Sequence, residues 1–146
     1  MIRPGLIADL PALTRIRTAV SENHLSVEQM AGMGITHDSI AADMTAGHLA
    51  CWVAMDGAVI AGFSMADRRD GNIFALFMDA AHEGKGHGGA LLAACENWLR
   101  QEGHAEAHLT TERHSKAFAF YLRRGWHETA KSGSDTGTDA ELAKEL

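Results

Sequence analysis

Ile73-Phe74-Ala75-Leu76-Phe77-Met78 runs through Asp79-Ala80-Ala81-His82 into Glu83-Gly84-Lys85-Gly86-His87-Gly88-Gly89, and these seventeen residues decide the fold. The first six form an apolar run of the length and composition of a buried strand. Beyond the loop, Leu91, Leu92, Cys95, Trp98 and Leu99 recur at the spacing of one helix face, and Gly103 closes that helix. The loop therefore joins a buried strand to an amphipathic helix. Its glycines let consecutive backbone N–H groups converge on one point with no Cβ in the way. The helix behind adds its own unpaired N–H groups and the positive end of its dipole. Together these predict a cradle for a phosphate or pyrophosphate. A P-loop is excluded, because no Gly-Lys-Ser/Thr ends the run. Gly84, Gly86 and Gly89 do satisfy the G-x-G-x-x-G of dinucleotide-binding folds. Against that reading, the loop follows an antiparallel-looking meander, and fewer than 60 residues remain after it.

Upstream, Cys51-Trp52-Val53-Ala54-Met55, Asp56-Gly57 and Ala58 to Phe63 read as a hairpin on a favoured turn pair. Arg69-Asp70-Gly71-Asn72 is a second turn, leading into the strand over 73–78. Nearer the N-terminus, Asp9 is placed to cap a helix carrying Pro11, Leu13, Ile16 and Val20. Ser21 to Gly34 reads as a turn with a short helix, and Thr36 to Ala46 as a helix closed by Gly47. Downstream, a strand is expected over 105–111, a helix over 116–124 stopped by Gly125, and a strand over 126–131. A polar turn over 132–139 and a final strand over 140–146 complete the chain. This alternation predicts an α+β fold, a mixed central sheet with helices on both faces.

The 146 residues fit a single domain spanning 1–146, and 46% apolar residues suffice for a packed core. No apolar run approaches the roughly 18 residues of a membrane span. The N-terminus lacks the layout of a signal peptide. Cys51 and Cys95 show neither a disulfide nor a zinc spacing, which reads as two reduced thiols in a cytoplasm. A net charge of −6 argues against a nucleic-acid partner, although Arg113, Lys116, Arg123 and Arg124 form a local basic cluster. The nine histidines include no H-E-x-x-H, and His104 and His108 fall across one predicted strand, so no metal is assigned.

Two stretches together resemble the GNAT superfamily of N-acetyltransferases. Its pattern places Arg or Gln, two residues, Gly, one residue and then Gly or Ala between a strand and a helix. Here Gly86 and Gly88 take the small positions, and Leu76-Phe77-Met78-Asp79 is similar to the family's central strand. Downstream, His114-Ser115-Lys116-Ala117-Phe118-Ala119-Phe120-Tyr121, followed by Gly125-Trp126, resembles the Asn-x-x-Ala-x-x-Phe-Tyr helix and its exit. Ile2-Arg3-Pro4 and Ala8 to Leu13 also fit. Three positions depart from the pattern. Glu83 stands for Arg or Gln, His114 for Asn, and Ala80 for a frequent Pro.

The resemblance implies an acetyl-CoA-dependent N-acetyltransferase acting on a primary amine of a small molecule or peptide, by direct attack in a ternary complex. It implies that the strands at 73–78 and 105–111 splay, so that pantetheine pairs with backbone near Leu76, Phe77 and Met78. A backbone N–H there would stabilise the developing oxyanion. Gly84, Lys85, Gly86, His87, Gly88 and Gly89 would hold the pyrophosphate, and His114 would contact the cofactor. Tyr121, the only tyrosine, would protonate the departing thiolate. For the general base Glu22 leads, with Glu112 and His82 as alternatives. A homodimer is common in the family. The Glu83 and His114 departures motivate a rival reading, a catalytically silent acyl-CoA-binding or sensing module. The acidic balance of the chain favours cationic amines, such as polyamines, aminoglycosides or peptide N-termini.

Overall fold

A computed structural model describes residues 1–129 and 139–146. The polar turn expected over 132–139 lies outside them except for Asp139, as does the end of the strand expected over 126–131. Strand β1 (Ile2–Pro4) leads through a turn of 3-10 helix at Ile7–Asp9 into α1 (Leu10–Ala19), followed by α2 (Val27–Gly32) and α3 (His37–Thr45). Asp9 does not cap α1 as the sequence suggests. Its carboxylate takes both guanidinium nitrogens of Arg3, at 2.9 and 3.1 Å, and the N–H of Leu6, which tie β1 to the helix. The beginnings of α2 and α3 are capped by Ser26 and Thr36, whose hydroxyls accept from Gln29 and Ser39 N–H groups.

The Asp56-Gly57 turn joins β2 (Leu49–Asp56) to β3 (Val59–Asp67), and β4 (Asn72–Met78) completes an antiparallel meander. A second 3-10 turn at Ala80–His82 precedes α4 (His87–Gln101); then come β5 (Glu106–Glu112), α5 (Lys116–Arg123), β6 (His127–Glu128) and β7 (Asp139–Glu145). The sheet runs β1-β2-β3-β4-β5-β7-β6, a mixed α+β sheet. The last strand pairs with β5 along its whole length, from Glu106↔Glu145 to Glu112↔Asp139. No described helix is long and apolar enough to cross a membrane.

Period-two alternation builds a core on each face. Cys51, Val53, Phe63 and Met65 pack with Leu10 and Leu13 of α1, while Ala66, Leu109 and Leu142 pack with Leu92, Cys95 and Leu99 of α4 and Tyr121 of α5. One irregularity matters for the site. Met65 pairs with Ala75 and Ala66 with Ile73, so Phe74 is an extra residue in β4 with no partner on β3. This bulge switches the parity of the strand. Ile73 and Leu76 face the α4 side, and Ala75 and Phe77 the α1 side. On the α4 side, the buried Glu96 carboxylate accepts from Trp126 Nε1 at 3.1 Å and Lys144 Nζ at 3.0 Å, fastening β7 and the exit of α5 to α4.

Candidate active site

The sheet opens just past the bulge. Parallel strands β4 and β5 pair only at Asn72↔His108, and beyond that point they diverge. The β5-facing edge of β4 is left without a strand partner, so alternate residues turn N–H and C=O groups into the gap. Two clefts reach it. The larger, of about 1190 Å³, runs from the glycine loop past the ends of α1 and α5. The smaller, of about 380 Å³, lies between α1, β4 and the C-terminal end of β5. Both are lined by Asn23, Leu76, Phe77, Ala117 and Tyr121, so these residues mark where the clefts meet.

Gly86 is the N-cap residue of α4, with φ 83° and ψ 0°, a left-handed conformation that a residue with a Cβ adopts at a cost. No side chain caps this helix end, and the N–H groups of its first turn lack intrahelical acceptors apart from Ala90 N–H to Gly86 O at 3.4 Å. A Cβ at Gly88 would stand 3.3 Å from Cε1 of Phe120, so a larger residue there would have to displace that ring by a few tenths of an ångström. Gly84, Gly86, His87, Gly88 and Gly89 line the large cleft. Lys85 does not; its ammonium pairs with Asp56 at 3.0 Å, tying the loop to the β2–β3 turn and holding the Asp56 carboxyl below the usual range. Glu83 is exposed at the cleft edge, and neither Lys85 nor Arg113 pairs with it: Lys85 goes to Asp56 and Arg113 to Glu128 at 2.7 Å. Of the basic cluster, Lys116, Arg123 and Arg124 line the cleft, with no ion pair to any described carboxylate; Arg124 stacks on the Phe120 ring at 3.8 Å.

Tyr121 projects from α5 into the junction, its ring held edge-on by Phe120 at 5.3 Å and Trp126 at 5.8 Å. Burial pushes its hydroxyl well above the usual phenol range, so it stays protonated at neutral pH. The start of α5 is fixed by Ser115, whose Oγ accepts from Phe118 N–H at 3.0 Å and donates to the Glu112 carbonyl at 2.7 Å. His114 is exposed, lines neither cleft and has φ 68°. Asn and His are among the residues that tolerate that conformation best, so the backbone accounts for either at this position.

Glu22 meets α5 in a way the sequence does not announce. Both carboxylate oxygens accept from the Lys116 N–H, at 3.1 and 3.3 Å, placing an anion on the helix N-terminus. The next residue, Asn23, has φ 55° and bridges to β5: Nδ2 donates to Thr111 Oγ1 at 3.1 Å and Oδ1 accepts from Glu112 N–H at 2.7 Å. Glu22 lines the large cleft and Glu112 the small one, where the Glu112 carboxylate has no partner among the described residues. His82, at the large cleft, lies 3.4 Å from Asp56 through an Nδ1 that makes no hydrogen bond. His104 and His108 bond the carbonyls of Arg68 and Asp70 and pin the β3–β4 turn. No group of three or more metal-ligating side chains gathers among the described residues.

Residues 18–140 match the family model of the acetyltransferase (GNAT) domain. The chain belongs to the GNAT acetyltransferases. Solved structures of this fold superpose over its whole length. The PaiA N-acetyltransferase of Thermoplasma acidophilum, in complex with coenzyme A, is 18% identical, with a TM-score of 0.79 over 100% of this chain and 98% of that one. A ribosomal-protein-alanine N-acetyltransferase of Brucella melitensis is 20% identical, with a TM-score of 0.77 over 100% and 99%. The YncA protein of Salmonella typhimurium, solved with its cofactor acetyl-CoA, is 20% identical, with a TM-score of 0.73 over 100% and 93%. At such identities the likeness speaks for the fold. No curated protein sequence matches significantly. In GNAT terms the glycine loop opens α4, the gap between β4 and β5 is the fold's central splay, and Tyr121 stands at its mouth.

Proposed function

We propose that this chain transfers an acetyl group from acetyl-CoA to a primary amine by direct attack in a ternary complex. The observation that carries the proposal is the meeting of two clefts at the β4–β5 gap beside a buried, protonated tyrosine. Coenzyme A fits the larger one. Its pyrophosphate suits the uncapped N–H groups from Gly86 to Gly89, and Lys116, Arg123 and Arg124 offer cations along the same wall that are paired with no described carboxylate. Pantetheine, itself a chain of amides, suits the unpaired edge of β4 from Leu76 to Met78.

Acetyl-CoA supplies the acetyl group as an activated thioester. The chain's residues then bind, orient and move protons. An amine entering from the small cleft meets the carbonyl carbon at the junction; a C–N bond forms and the C–S bond breaks. A β4 backbone N–H facing the gap stabilises charge on the carbonyl oxygen. Tyr121 donates to the leaving sulfur. The proton lost by the amine needs a base, and geometry favours Glu112 over Glu22. The Glu112 carboxylate is unpartnered on the small cleft, whereas both oxygens of Glu22 are engaged at Lys116 N–H. Glu22 then serves to position α5, and through it Tyr121.

Thiol release from acetyl-CoA, followed across a panel of primary amines, tests the proposal. Amine-dependent release with formation of the N-acetyl product is the expected result. Tight CoA binding with no release for any amine would favour the silent binding module instead.

A further inference from the structure

The small cleft contains a cation that neither the loop nor the chemistry uses. Arg17, on α1, is half-buried, with its guanidinium 4.1 Å above the centre of the Phe77 ring. One Nη1 hydrogen bond goes to the carbonyl of Asn23. No carboxylate among the described residues lies within ion-pair distance, and the remaining guanidinium donors have no described acceptor. Burial lowers its pKa without the opposing pull of an anion. A desolvated guanidinium is retained where it is paired or where it awaits a partner, because burying it alone is costly. Its planar fork suits a carboxylate, which it can take bidentately.

Position limits what that anion belongs to. Both neighbours of Arg17, Phe77 and Asn23, line both clefts, so the guanidinium borders the point where the amine must react. Glu112 and Asp139 supply the carboxylates of the same cleft, neither ion-paired with any described cation. One cation and two anions in a space of about 380 Å³ complement a small molecule of mixed charge. We propose that the acceptor is a free amino acid, with its carboxylate on Arg17 and its amino group toward Glu112. This inference rests on the transferase reading and narrows it. It replaces the polyamines and aminoglycosides suggested by overall charge, because a fixed cation at the reaction point repels a ligand that is cationic throughout. The α-amine of a peptide N-terminus offers Arg17 only a neutral carbonyl, since its neighbouring carboxyl is an amide, and forgoes the charge-assisted pair.

Calorimetric titration of the CoA-saturated protein tests this without turnover. The probes are the common L-amino acids, the α-carboxamide of each, and 1,4-diaminobutane. At least one amino acid should bind about ten- to a hundredfold more tightly than its carboxamide, the scale of a charge-assisted hydrogen-bond pair. Arg17→Gln should erase that difference while leaving CoA affinity unchanged, and Arg17→Lys should keep part of it. Unchanged CoA affinity also reports that the variants fold. Carboxamides or the diamine binding as tightly as any amino acid would overturn the inference, as would a preference that survives Arg17→Gln or no amino acid binding at all. Carboxylate-dependent binding without thiol release from acetyl-CoA would uphold this acceptor site and remove the transferase reading. Release with the diamine or carboxamides alone would do the reverse.

Discussion

Replacing Gly86 separates backbone conformation from space in the glycine loop. A Cβ added there meets no heavy atom within 4 Å, so a substitution costs little in contacts. The cost lies in the backbone, which sits at φ 83°. A left-handed conformation costs an ordinary residue about 1–2 kcal/mol, more for a β-branched one, whereas Asn visits it readily. Gly86→Val should therefore push the loop out of the left-handed well and turn the first N–H groups of α4 away from the large cleft. At 1.4 kcal/mol per tenfold, CoA affinity should fall by about five- to thirtyfold or more. Gly86→Asn should hold the angle and stay within about threefold of wild type. Titration of CoA into each variant measures this, with thermal unfolding as the control for folding. Equal losses for Asn and Val would refute the argument from backbone angle and point to space at the phosphate seat. Wild-type affinity in Gly86→Val would refute the loop assignment itself.

Four further outcomes are expected. Tyr121→Phe should lower kcat by about ten- to a thousandfold with CoA affinity nearly intact, measured where chemistry limits turnover. Glu112→Gln should remove the acidic limb of the kcat/KM profile; Glu22→Gln should keep that limb and instead cost about 0.3–1 kcal/mol of stability by taking a charge from the N-terminus of α5. Cys51 and Cys95 are buried, and burial pushes both thiols up to about 12 from 9.0. Their contribution to stability should be complete below about pH 9 and lost as pH rises toward 12, and a thiol reagent at pH 8 should label them only as fast as the protein opens. Glu83→Arg should tighten CoA binding by about three- to tenfold at low salt, a gain that shrinks as the Debye length falls from ~30 Å at 0.01 M to ~10 Å at 0.1 M; a large, salt-insensitive gain would put the glutamate in the phosphate site.

Much of this architecture was legible from local pattern. The α4 face over Leu91, Leu92, Cys95 and Leu99, the Asp56-Gly57 turn and the glycine loop all depend on short-range spacing, which a sequence displays directly. The features that were not legible are tertiary. Asp9 occupies a cap position, yet its carboxylate turns back to the Arg3 guanidinium on β1 and the Leu6 N–H rather than to the first turn of α1. By contrast, the final strand expected over 140–146 does form, as β7 in the slot between β5 and β6, although its residues favour a helix. Glu22 and Asn23 sit in an unremarkable turn, and only the arrival of Lys116, Thr111 and Glu112 from far along the chain gives them partners. Arg17 carries no signal at all in sequence, since what distinguishes it is the lack of an opposite charge in three dimensions.

The extra residue at Phe74 has a consequence for anyone transplanting this site. Side chains along β4 are addressed by counting, and the bulge advances the count by one just before the active stretch begins. Deleting Phe74 would join Ile73 to Ala75 in regular alternation and keep Leu76 and Phe77 on their present sides, whereas keeping all six residues and pairing Phe74 regularly would exchange those sides. With the sides exchanged, Arg17 would lose the ring beneath it, and the α4 core would receive a phenyl group in a seat shaped for leucine. Grafting residues 73–78 onto a regular strand of another protein would fail in the same manner, because the segment carries its meaning only together with the irregularity inside it.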